Sequence, residues 1–385
     1  MRHSTDRILT THAGRLDGPP AFRETTGLTR SGPPIDAEAF GAILPDAVRW
    51  VVRQQINMGV DIISDGELGK FTYGLGYYGG RLSGLVARPV RPGEPGWMSL
   101  STGERLEFAE FYKELQWVST PERIVCNAPL TYIGQRAVRR DVEQLRSALA
   151  NEATKVDEAF MCVLAPGWLE HFFYNEYYPD DEQYLFALAD AIAHEYRAIV
   201  EAGFILQIDD PALPDTYDML TPKLSIDEYR RFAKVRIDAL NHALRGLPEE
   251  RVRYHICWGS WHGPHTHDIP LEHVIDLMLE VKAGAYSVEA ANARHEHEWK
   301  LWKQTRLPDG KLLIPGVVSH ATNVVEHPEV VADRIIRYAN IVGRENVIAG
   351  TDCGLGFRVH PQIAWAKLKT LSEGAALATR ALWGR

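Results

Sequence analysis

Apolar runs of the kind that form buried strands recur along the chain at 8–13, 60–65, 123–128, 204–209, 252–257, 284–289, 312–319 and 346–352. Strands covered on both faces of a parallel sheet read as such near-continuous runs, without the apolar–polar alternation of a half-wet strand. Helical periodicity fills much of the space between them, at 187–202, 226–245, 271–282 and 329–342. Gly203, Gly246, Gly284 and Gly343 follow these segments, where a left-handed residue would end a helix before the next strand. Eight strands with interleaved helices predict a single-domain α/β fold over 1–385, a (β/α)8 TIM barrel, in preference to an open doubly wound sheet.

A ninth apolar run, 159–164, is read as part of an insertion at about 150–186, since the polar aromatic stretch 173–182 follows it. A second insertion, about 70–122, is rich in Gly, Pro, Trp and Tyr. Loops of this length in a compact domain are usually lids or binding loops. The chain carries no tandem repeat, no glycine-rich phosphate loop and no nucleophile elbow.

Composition narrows the function classes. A hydrophobic fraction of 45% supplies an ample core, and a net charge of -9 argues against nucleic acid as a partner. Neither a signal-peptide pattern nor a membrane-length apolar run is present, so a cytoplasmic protein that does not engage a membrane is expected. The four cysteines, Cys126, Cys162, Cys257 and Cys353, are too scattered for a disulfide framework. Cys126 and Cys162 lie in apolar runs and read as buried packing thiols.

Cys257 and Cys353 keep different company. His255 and Cys257 close one strand-like run, Glu289 the next, His320 the next and Cys353 the last. Counting from Cys257, the steps are 32, 31 and 33 residues, each the length of one strand-plus-helix unit. The strand C-termini of a closed barrel converge on one face, so these residues can meet there. His255 and Cys257 stand at i and i+2 and face the same side of a strand. Thiolate, imidazole and carboxylate together suit zinc, not magnesium or calcium. His262, His265, His267, His295 and His297 are read instead as histidines of surface loops and solvated helix starts. Asp65, Glu67 and Asp209 also end strands and are suited to an amine or a proton; Asp210 reads as a capping or structural carboxylate.

These pieces together resemble the cobalamin-independent methionine synthase family. Ile-Leu-Thr-Thr-His-Ala-Gly, Asp-Gly-Glu, Gln-Ile-Asp-Asp-Pro-Ala-Leu, His-Ile-Cys, Val-Glu, Gly-Val-Val-Ser-His and Asp-Cys-Gly occur in family order over nearly the whole chain. The resemblance is to the C-terminal catalytic barrel of the long enzymes, taken alone. It implies Zn2+ held by His255, Cys257, Glu289 and Cys353, substrate contacts from Glu67 and Asp209, and His320 as a proton donor. It further implies methyl transfer from 5-methyltetrahydrofolate to the thiol of homocysteine. One departure stands out: Ala13-Gly14-Arg15 puts arginine where the family usually has a small Ser that helps seat homocysteine. Ala13 and Arg15 are therefore candidate substrate-binding residues, and arginine is a bidentate partner for carboxylate, sulfonate or phosphate. The short relatives include epoxyalkane:coenzyme M transferases, which use the same zinc logic on an anionic thiol. Three readings stay open: methionine-synthase-like alkyl transfer, transfer to another thiol or from another donor, and a zinc-dependent thiol-binding protein without turnover. Oligomeric state is not legible.

Overall fold

The computed structural model describes residues 1–26, 37–70, 75–94, 102–115, 122–152, 156, 158–220 and 222–384. Parts of the expected 70–122 insertion therefore lie outside the described residues. Eight parallel strands form the main sheet: β1 (Leu9–Thr10), β2 (Ile62–Ser64), β3 (Glu158–Leu164), β4 (Ile205–Asp209), β5 (Val252–His255), β6 (Ala285–Glu289), β7 (Leu312–Val318) and β8 (Ile348–Thr351). Their order is β1-β8-β7-β6-β5-β4-β3-β2. The two end strands approach each other as well, since Asp61 N donates to the Thr10 carbonyl at 3.2 Å. The result is the nearly closed (β/α)8 barrel that the pattern predicts.

The third strand is a correction. The run 123–128 belongs to Glu122–Tyr132, which pairs antiparallel with Leu82–Pro89 and parallel with Phe173–Asn175 in a separate three-stranded sheet. The run 159–164, read as insertion, is barrel strand β3 instead. Burial explains the exchange: β3 is buried along nearly its whole length, whereas Glu122–Tyr132 alternates between buried and exposed positions. Alternation marks an antiparallel sheet with one wet face; a continuous apolar run marks a strand covered on both.

Helices wrap the sheet and stop where their termini dictate. Asp180 caps the helix Asp181–Glu201 by accepting from Gln183 N, and Ser225 with Glu228 forms a capping box on Ile226–Ala243. Gly203, Gly246 and Gly343 adopt positive φ as expected. Gly284 does not; an added Cβ there would meet the Glu249 carbonyl at 2.8 Å, so close approach explains it. Leu9, Ile62, Phe160, Cys162, Ile205, Leu312, Ile314 and Ile348 fill the barrel interior as one cluster, while a larger cluster seals sheet to helices. No helix among the described residues is long and apolar enough to cross a membrane.

Candidate metal centre

Parallel register places the site. Leu164 of β3 pairs with Asp209, Asp209 with His255, and His255 with Ser287, so the ends of four adjacent strands lie level. Two groups of polar side chains gather on this face, and a third stands beside the first.

The first group is His255, Cys257 and Cys353, whose ligand atoms all lie within 4.8 Å of one another. The Cys257 and Cys353 sulfurs are 3.7 Å apart. Two sulfurs about 2.3 Å from a tetrahedral metal would stand about 3.8 Å apart, so the pair is already spaced for one ion. Ser287 Oγ engages His255 Nδ1 at 3.0 Å. Nε2 is buried and has no hydrogen-bond partner among the described residues. The Cys353 thiol engages the ring, as expected of two groups that could share one metal. The shared sulfur–sulfur hydrogen bond favours the thiolate on Cys353, helped by the neighbouring His255, and pushes the Cys257 thiol well up.

Glu289 does not fall in that triangle. It groups with His320 and Asp352, and both its oxygens are held: Trp258 N donates to Oε1 at 3.0 Å and Asn292 Nδ2 to Oε2 at 2.8 Å. Asp352 Oδ1 accepts from the Ala290 and Ala291 amides at 2.7 and 2.9 Å, tying β8 to the loop after Glu289. Burial lowers the pKa of His320 and keeps its ring neutral at pH 7; its Nδ1 has no partner among the described residues.

The other group on this face is acidic: Glu67, Cys162 and Asp209. Burial, then repulsion from Glu67, pushes Asp209 up to about 7. Gln207 Nε2 donates to its Oδ1 at 2.6 Å. Glu67 sits in a turn with φ of 56°, a strained conformation for a residue with a side chain. Arg15 braces that turn, with Nη1 donating to the carbonyls of Glu67 and Lys70 at 2.9 and 3.0 Å and the guanidinium 4.5 Å from the Phe357 ring centre. The Glu67 carboxylate instead faces the Lys70 ammonium at 3.5 Å, both buried. Ala13 bridges strands, its amide engaging Thr351 Oγ1 and its carbonyl accepting from Gln207 Nε2. At Gly14 a Cβ would lie 2.5 Å from both Cys162 Sγ and Glu67 Oε1, so only glycine fits beside this cluster.

Several of these residues escaped sequence reasoning: Lys70 and Asn292 carried no pattern of their own, and Gln207 and Asp352 lie in the quoted motifs without being singled out. Two loop histidines need correction. His265 and His295 are 7% and 2% exposed and do not lie on the surface. The reason is local: each has a carboxylate three residues on, Asp268 and Glu298, that accepts from it. His262 and His297 are at least partly exposed, and so is His267. Asp210 is structural, accepting from Tyr254 OH at 2.7 Å.

A parallel barrel with thiol, imidazole and carboxylate groups at its strand ends defines a class of candidate metal-dependent enzyme. The chain belongs to the cobalamin-independent synthase family: the model of its catalytic domain matches residues 10–376. Methionine synthase from Saccharolobus solfataricus is 27% identical over 376 residues, covering 95% of this chain and 93% of that protein. Methionine synthase from Thermococcus kodakarensis is 23% identical over 354 residues, covering 90% and 87%. Among solved structures, a B12-independent methionine synthase from Shewanella sp. W3-18-1, in complex with selenomethionine, superposes with a TM-score of 0.76 at 21% identity, covering 98% of this chain and all of that one. That likeness concerns the fold.

Proposed function

We propose that this protein is a zinc-dependent methyltransferase that methylates the thiol of homocysteine, with 5-methyltetrahydrofolate as donor. One observation carries the reading: the His255–Cys257–Cys353 triangle, with its sulfurs 3.7 Å apart and Nε2 of His255 unpartnered among the described residues, at the strand ends of a chain in this family. Those three, with Glu289 adjacent, would hold zinc. When bound, zinc would lower the pKa of an acceptor thiol and present it as thiolate at neutral pH.

The protein's own residues supply the rest. Ser287 fixes the His255 ring so that Nε2 is the ligating nitrogen. Asp209 and Glu67 offer carboxylates to the substrate ammonium, and that pairing would relieve the repulsion that raises Asp209. His320 is the candidate donor of the proton taken by the leaving nitrogen. Because burial keeps it neutral at rest, that proton must reach it during the cycle. The test is direct: zinc-loaded protein given homocysteine and 5-methyltetrahydrofolate is expected to form methionine. Full zinc with no methionine would overturn this acceptor–donor pair, and no turnover of any thiol would leave a binding protein.

A second reading is favoured by Lys70. Its ammonium already faces Glu67 where a substrate ammonium would pair, which favours an acceptor thiol without an amine, as in the epoxyalkane:coenzyme M transferases. Lys70→Met separates the two. On this second reading the wild type prefers 2-mercaptoethanesulfonate, and the variant shifts kcat/KM toward homocysteine. A wild type that prefers homocysteine, with an unchanged ratio in the variant, removes this reading.

A further inference from the structure

We infer that Asp268, with His265 and His295, positions the metal centre by tying the loop that leaves Cys257 to the loop that leaves Glu289. The inference rests on the metal site proposed above, but on residues outside its ligands. Asp268 accepts from His265 Nδ1 at 3.0 Å, within its own loop, and from His295 Nε2 at 2.8 Å, across to the next. His295 Nδ1 faces Glu298 at 3.1 Å, and His265 Nε2 faces the Trp261 carbonyl at 2.9 Å. All four ring nitrogens thus meet acceptors. None is left to bind a second ion, and both rings are held protonated.

The charges fit a closed unit. Burial opposes a charge on either ring, yet the hydrogen bonds to Asp268, with those to Glu298 and the Trp261 carbonyl, raise His265 to about 9 and His295 to about 10. Two imidazoliums face two carboxylates, with Glu289 and Asp215 the further acids nearby. A fully satisfied buried network of this kind is rigid.

Two arms lead from it to the metal ligands. The His295 ring stacks on Trp258 at 3.7 Å, and Trp258, next in chain to Cys257, donates its amide to Glu289 Oε1. His295 N also donates to the Asn292 carbonyl at 2.9 Å, in the turn from which Asn292 Nδ2 holds Glu289 Oε2. Both oxygens of Glu289 are therefore gripped by residues that the network fixes. Groups one shell outside a metal typically contribute 10–100-fold to its affinity.

Asp268→Asn keeps the shape and removes the charge. The measurements on the full chain are zinc affinity by chelator competition and the visible spectrum of the cobalt(II)-loaded protein. His295→Gln serves beside it, and Ile335→Val, in the outer core, controls for stability alone. The expected result is an affinity about 10–100-fold lower with an altered cobalt spectrum in Asp268→Asn or His295→Gln, and neither change in Ile335→Val. Wild-type affinity and spectrum in whichever of the two network variants folds would overturn the inference, whatever the melting temperature. A wild type that binds no zinc would instead overturn the metal site itself.

Discussion

The two clusters on the barrel face differ in what completes them. On the thiol side, His255 Nε2 and His320 Nδ1 have no partner among the described residues, and the sulfurs are spaced for an ion. On the acidic side, Glu67 has the Lys70 ammonium and Asp209 a hydrogen bond from Gln207, so each carboxylate has a partner within the chain although Asp209 stays raised. The clusters are adjacent, since Asp209 and His255 pair directly across β4 and β5. The difference teaches a division of labour. On the proposed function, the thiol side would hold the soft cation and supply the chemistry, while the acidic side would tune its charge and select the thiol. This division can be broken from either side.

The largest effect is expected on the thiol side. Cys257→Ser or Cys353→Ser should lower zinc affinity by more than about 100-fold, beyond the range for outer-shell changes, while homocysteine's ammonium contacts stay intact. Metal analysis showing full occupancy in both variants would dissolve the assigned site. On the acidic side, Asp209→Asn should leave zinc bound but cost about 2–5 kcal/mol in kcat/KM for homocysteine, the scale for losing one member of a buried charged pair. Unchanged kinetics would mean that the amine has been misread.

The same residue predicts a pH dependence of stability. Asp209 titrates at about 7 when folded, against an ordinary 3.8. The folded state therefore binds the proton more tightly than the unfolded one. Its contribution is fully present below about 3.8 and is lost as pH rises through 7. Denaturant titrations of the metal-free protein should show a shallower fall between pH 4 and 7 in Asp209→Asn, and higher stability at pH 8. A variant that tracks the wild type at every pH would show that Asp209 carries no such penalty.

How much of this is legible in the sequence depends on whether a residue's role is local to a strand. His255, Cys257 and Cys353 end apolar runs at regular spacing, and that spacing is enough to put them on one face of a barrel. The β3 exchange is also legible in principle: Arg123 and Asn127 interrupt the run 123–128, while 159–164 is wholly apolar. Run length and order outweigh that interruption when strands are simply counted. Lys70 is different. It shares an i, i+3 spacing with Glu67, but its burial against that carboxylate follows from a strained turn that no sequence period marks. The buried histidines lie between, since His265 with Asp268 and His295 with Glu298 share an i, i+3 spacing. That repeat is the available signal, hidden by the polar residues around it.

Arg15 gives the smallest and sharpest test. The sequence makes it a candidate anion receptor, whereas its Nη1 donates to the backbone carbonyls of Glu67 and Lys70. Those carbonyls belong to the turn that holds Glu67 at φ of 56° and carries the side chains of Glu67 and Lys70. Arg15→Ser would remove that donor; the Glu67 carbonyl keeps the Lys70 amide at 3.0 Å, so the cost falls on the Lys70 carbonyl, about 1–3 kcal/mol in stability. Zinc affinity should be unchanged, because no member of the thiol cluster touches this turn in the hydrogen-bond pattern. KM for the acceptor should rise as Glu67 relaxes, whichever thiol it is, with kcat little affected. A loss confined to anionic thiols would show instead that the guanidinium reads the substrate, and the acidic side would then no longer be closed from within.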